Sequence, residues 1–81
     1  MNPENLRRAR PERVYSNVLR VGCNAFEFVL DFSDFRDEEE EPRSVAVVVA
    51  APVIAKAFAK TLLQSLEDYE QRVGKLPDEL E

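Results

Sequence analysis

The sequence predicts an α+β domain in which three antiparallel strands, in β-β-β-α order, pack on one long C-terminal helix in an oligomeric assembly. Three observations carry that reading. Ile54, Phe58, Leu62, Leu66, Tyr69 and Val73 recur at spacings of four, four, four, three and four, which is one face of a helix. Phe26, Phe28, Leu30 and Phe32 alternate with Glu27, Val29 and Asp31, the period of a strand with one face inward. Residues 44–50 (Ser-Val-Ala-Val-Val-Val-Ala) form an apolar run with no polar face, as in a strand covered on both sides.

Residues 1–12 are polar, contain Pro3 and Pro11 and show no period, so they read as a flexible basic N-terminal tail. A single β-β-β-α domain is expected over residues 13–76. Its first strand spans 13–23, with Tyr15, Asn17, Leu19, Val21 and Cys23 on one face and apolar residues on both. Asn is depleted in strands, so Asn17 in the Tyr15-Ser16-Asn17 run is expected to bond backbone at a bulge or sheet edge. Cys23 is expected to be a partly buried, ordinary thiol. Turn residues at 22–25 lead into the second strand, 26–32. Its phenylalanine face is expected to meet the apolar stripe of the helix, each aromatic burying about 150–250 Å².

Residues 33–43 form an acidic loop containing the unbroken run Asp37-Glu38-Glu39-Glu40-Glu41, which reads as a mobile, self-repelling connector. The third strand follows, and Ala51-Pro52 passes from it into the helix. Proline suits the first helical position because its missing N–H would have no intrahelical partner there. A helix over 52–73 is about 33 Å long at about 1.5 Å per residue. Gly74 is placed to close it through a left-handed residue, and Pro77 bars continuation. Asp68 and Arg72 form an acid-before-base pair at i, i+4. Residues 77–81 are a short tail.

Composition narrows the function. Eighty-one residues make one domain whose core is marginal, and Cys23, the lone cysteine, rules out an internal disulfide. Histidine is absent, so neither a zinc site nor a histidine-based catalytic triad is expected. The paired carboxylates Glu27 and Asp31 lack any supporting nucleophile or phosphate loop and read as a solvated strand face. No catalytic residue, cofactor or metal is therefore assigned, and the chain is not expected to be an enzyme. Residues 1–26 carry a net charge of +3, residues 27–43 of −6 and the remainder of −2, giving −5 in total. That balance opposes general polyanion binding. No apolar leader is visible, and the longest apolar run, 45–55, is too short for a bilayer. A cytoplasmic protein with no membrane partner is expected.

The run Tyr15-Ser16-Asn17, then Glu27-Phe28-Val29-Leu30-Asp31-Phe32, Pro52 with Ala55-Lys56, and Tyr69-Glu70 with Gly74 resembles a family of short, mostly bacterial proteins classed as a domain of unknown function. The resemblance spans residues 13 to about 76 through the order and spacing of these motifs. It implies the same architecture and no activity or cofactor. One departure is Ala51, where the family often has a serine able to cap the helix.

The functional expectation is a non-catalytic, acidic protein-interaction module whose first partner is itself, as a homodimer or larger symmetric oligomer, with another protein as a further partner. Leu62, Leu66, Tyr69 and Val73 on the far half of the helix, with Val45 and Val47 of the third strand, are the expected interface. One helix covers one face of a sheet, and strands one and three are apolar on both. Two alternatives are weighed: nucleic-acid binding through Arg7, Arg8, Arg10 and Arg13, which lack interleaved aromatics, and a holdase similar, at the level of fold alone, to SecB-like export chaperones. Lys56 and Lys60, one turn apart near the positive helix end, are expected to find an acidic partner.

Overall fold

The computed structural model describes residues 11–78. Its elements are β1 (Val18–Cys23), β2 (Phe28–Asp34), β3 (Arg43–Ala50) and α1 (Pro52–Arg72). The strands form one antiparallel sheet in the order β1-β2-β3, a meander with β2 at its centre. The expected α+β class and element order are thus present.

β1 is shorter than expected. Its ladder begins at Val18, because residues 16 and 17 reach β2 mainly through their side chains. The Ser16 hydroxyl donates to the Ser33 carbonyl at 2.8 Å, with the Val18 carbonyl also near at 3.0 Å. The Asn17 carboxamide both donates to the Phe35 carbonyl and accepts from the Phe35 N–H, each at 2.8 Å. Its backbone N–H donates to Ser33 at 3.1 Å. One amide side chain so supplies a donor and an acceptor, as a strand residue would. Asn17 bonds backbone through its side chain as expected, from a position just before β1.

β2 starts two residues later than the alternation suggested. Asn24 takes Phe26 and Glu27 into a turn: its Oδ1 accepts from Phe26 N–H at 2.8 Å and Glu27 N–H at 3.0 Å, and its own N–H donates to the Glu27 carbonyl at 3.0 Å. This local bonding overrides the hydrophobic pattern. Phe26 is accordingly 85% exposed and leaves the apolar face. Phe28, Leu30 and Phe32 are half-buried. Cys23, at the end of β1 beside this turn, is exposed rather than partly buried.

The connection at residues 35–42 is a shaped turn, not the unstructured connector its charge suggested. Asp37 organises it, its carboxylate accepting from Glu39 N–H and its carbonyl from Glu40 N–H, each at 3.0 Å. In β3, Val47, Val48 and Val49 are 57%, 46% and 57% exposed, so both faces of the strand are open in the single chain.

The helix α1 runs for 21 residues, about 32 Å. Ala51 has the extended φ and ψ of an N-cap (−62°, 149°) with no side-chain capping bond, and the first turn holds no acid. Val73 closes the far end by donating to the Tyr69 carbonyl at 2.8 Å. The chain then leaves through Gly74 at φ 156°, not through the left-handed residue near about +57° that the sequence suggested. Asp68 and Arg72 do not close an ion pair; among the described residues the ion pair is Arg36–Asp34.

No residue of α1 is buried, and among the described residues no hydrophobic side chain is. Along the helix stripe, Ile54, Phe58, Leu62, Leu66 and Tyr69 are each at least 38% exposed.

Candidate functional site

The two buried residues of the described chain are both polar and adjacent: Ser33 at 4% and Asp34 at 7% exposure. They end β2, and the fold explains their placement. The Ser33 carbonyl is held by Ser16 and Asn17, and both backbone groups of Phe35 are held by Asn17. The backbone on either side of Asp34 is thus fixed. Asp34 also shares its strand face with Phe28, Leu30 and Phe32, since side chains two apart project together. An acid buried at the end of the strand is the consequence.

Asp34 lines a pocket of about 230 Å³ with Arg36, Glu40, Glu41 and Arg43. All five belong to the sheet's β2–β3 end and its turn. The Arg36 Nε donates to Asp34 Oδ2 at 2.6 Å, from a side chain that is 77% exposed. Asp34 Oδ1 is buried and has no hydrogen-bond partner. An oxygen in that condition gives up hydration without replacement, typically at a cost of about 1–3 kcal/mol or more when charged. Nearby, Asp31 Oδ1 accepts from Ser44 Oγ at 2.8 Å across the β2–β3 pair, with Ser33 Oγ at 3.4 Å. Asp31 is therefore occupied by hydroxyl groups, while Glu27 is half-buried. Among the described residues no three potential ligands converge as a metal ion would require.

The sequence did not disclose this pocket. The alternation ends at Phe32 and leaves Asp34 in the loop, whereas β2 runs on to Asp34.

The expected interface residues fall on two elements. Leu62, Leu66 and Tyr69 share one face of α1, at 44%, 38% and 44% exposure, and Val73 at its C-cap is 70% exposed. Val45 is half-buried on β3, and Val47 is exposed. Arg13 is exposed, whereas Arg7, Arg8 and Arg10 lie outside the described residues. Among the described residues no helix is long and apolar enough to cross a membrane.

A family model described as "Protein of unknown function (DUF3467)" matches residues 1–78. No curated protein and no solved structure matches the chain.

Proposed function

The chain belongs to the DUF3467 family of proteins of unknown function, and on that premise we propose that it is a non-catalytic interaction module that works as a self-associated assembly. The observation that carries this reading is the open stripe of α1. A helix of 21 residues without a side-chain cap or an acid in its first turn has little local support. In proteins most helix stability comes from tertiary packing of the apolar face rather than from propensity. The stripe must meet another surface.

A second copy fits what that surface has to be. From the exposures of Ile54, Phe58, Leu62, Leu66, Tyr69 and Val73, the stripe leaves roughly 600 Å² open per copy. Two copies would bury roughly 1,200 Å² through these residues alone, the lower edge of a stable interface. Leu63 at 60% exposure and Val47 at 57% extend the apolar surface beyond that. The stripe ends on the 62–73 half of the helix, where Tyr69 offers an aromatic anchor. A two-fold contact through this half, completed by Val45 and Val47, buries the surface the monomer leaves open.

Concentration-dependent melting tests the proposal. An obligate assembly melts at a temperature that rises with protein concentration, because association and folding are linked. A midpoint unchanged over a hundredfold dilution would reject it. The same open surface would serve a holdase, and suppression of client aggregation by the assembled protein would favour that reading. Binding that weakens steeply with salt and is lost on neutralising the N-terminal arginines would instead favour nucleic acid.

A further inference from the structure

The sheet has an unpartnered edge at β3. Its order β1-β2-β3 gives β3 a neighbour on one side alone among the described residues. The other side of an edge strand presents a row of backbone N–H and C=O groups ready to pair with another chain. We infer that, within the self-association proposed above and resting on it, this edge pairs antiparallel with the β3 edge of a second copy. The two sheets then join into one continuous sheet through main-chain hydrogen bonds.

Of the two edges, β3 is the one that needs covering. It is eight residues long, and residues 44–50 hold no charge, proline or glycine. Edge strands are commonly guarded by shortness, charge or proline, and this stretch offers none of them. The opposite edge, β1, is six residues long and carries Arg20 and Gly22. Val47 and Val49 on one face of β3 and Val48 on the other are exposed at 57%, 57% and 46%. A helix laid on a sheet covers one face, whereas an added strand brings neighbours to both. A β3–β3 contact is also the same patch on both copies and closes as a dimer, while β3 on β1 is head-to-tail and gives rings or filaments.

Charge sets the direction. The run Asp37-Glu38-Glu39-Glu40-Glu41, exposed throughout, lies just before β3, and the Asp37 bonds to Glu39 and Glu40 hold it as a turn. The start of α1 lies just after β3, with Lys56 and Lys60 exposed, no acid in its first turn and no side-chain cap. Antiparallel pairing brings the start of one β3 beside the end of the other. Each acidic turn thereby comes to the positive helix end and the lysines of the other copy. Parallel pairing would set acidic turn beside acidic turn. A two-fold axis through the joined sheet preserves its faces, so opposed residues share parity. Centred on Val47, the pairing sets Val45 opposite Val49, Ala46 opposite Val48 and Ser44 opposite Ala50, with no charge facing a like charge.

The test is disulfide cross-linking of the full chain in a Cys23→Ser background, with the mass of each reduced sample read by light scattering. Opposed residues of an antiparallel pair have Cα atoms about 4.5–5.5 Å apart, within the range a disulfide spans. Val47→Cys should link to itself about tenfold faster than Leu19→Cys on the β1 edge, through its high effective concentration in the pair. In a mixture of Val45→Cys and Val49→Cys chains, links between the two variants should outnumber links within each. Mixing Lys56→Glu, Lys60→Glu chains with Glu38→Lys, Glu39→Lys chains should give mixed assemblies about threefold above their statistical share at low salt, an excess that shrinks as salt rises. In a self-associated sample, Val47→Cys linking no faster than Leu19→Cys would overturn the inference and leave self-association standing. Links within the Val45→Cys and Val49→Cys variants exceeding those between them would do the same. Slow amide exchange over 45–49 without cross-linking would give the edge to another segment of the chain and overturn it as well. A monomeric mass would remove both proposals. If the cysteine variants fail to fold, the charge-swapped mixture decides, and no excess of mixed assemblies there overturns the inference.

Discussion

The sheet's β2–β3 end and the helix α1 solve opposite problems. At the sheet end, polar side chains are tied within the chain: Asn17 to the Phe35 backbone, Ser16 to the Ser33 carbonyl, and Ser44 to the Asp31 carboxylate. On α1, five apolar residues in register are exposed, as is Val73 at its C-cap, and no side-chain N-cap bond or first-turn acid offsets that. The first region satisfies its polar groups with its own side chains, and the second leaves its apolar stripe exposed. Local polar bonding can be finished by neighbours in sequence and sheet, whereas an apolar stripe of about 32 Å needs a surface as long as itself.

The largest effect should come from breaking the helix side. Leu66→Glu or Tyr69→Glu places a charge in the apolar contact, and each should give monomers or unfolded protein, with stability lower by about 3 kcal/mol or more. Sedimentation and circular dichroism together read that outcome. Retention of both assembly and helicity would move the interface elsewhere.

Asn17→Ala breaks the other side. It removes two side-chain bonds to Phe35 and should cost about 1–3 kcal/mol, seen as a lower denaturation midpoint. Helix-driven assembly should persist at temperatures where the variant is folded. An unchanged midpoint would mean that the clasp contributes nothing.

Ala51→Ser sharpens the contrast by giving the helix a local support it lacks. Ala51 already has N-cap geometry, so a serine hydroxyl there should add about 1 kcal/mol without altering the assembled mass. A thermal melt checks it, and destabilisation would show that the Ala51 methyl is itself needed in a contact.

The smallest effect concerns Lys56 and Lys60, which form no ion pair among the described residues. Their pairing with acids therefore stands as a proposal about the assembly. Replacing both by Gln should shift stability by a few tenths of a kcal/mol, with a dependence on salt. Unaltered stability and oligomer size across a range of salt would remove the pairing.

The helix was legible almost to the residue because periodicity, Pro52 and the residues past Arg72 agree on its limits. The strands were legible in kind and order but not in their ends. Asn24 turns Phe26 out of β2, and the side chains of Ser16 and Asn17 replace the start of β1; both are side-chain-to-backbone bonds that a hydrophobic pattern does not encode. The pocket was hidden for a related reason. Asp34 is buried at the end of β2, but an acid at the end of an apolar run reads as the start of a loop. Asp37, which shapes the turn beside it, was lost within a run of like charges.

The central claim is that the open face of α1 is completed by a second copy, and the most direct test is the mass of the purified full chain by light scattering at tens of micromolar. The account predicts twice 9.3 kDa or a higher even multiple, with a melt that depends on concentration. A mass near 9.3 kDa, with a cooperative melt independent of concentration, would contradict it.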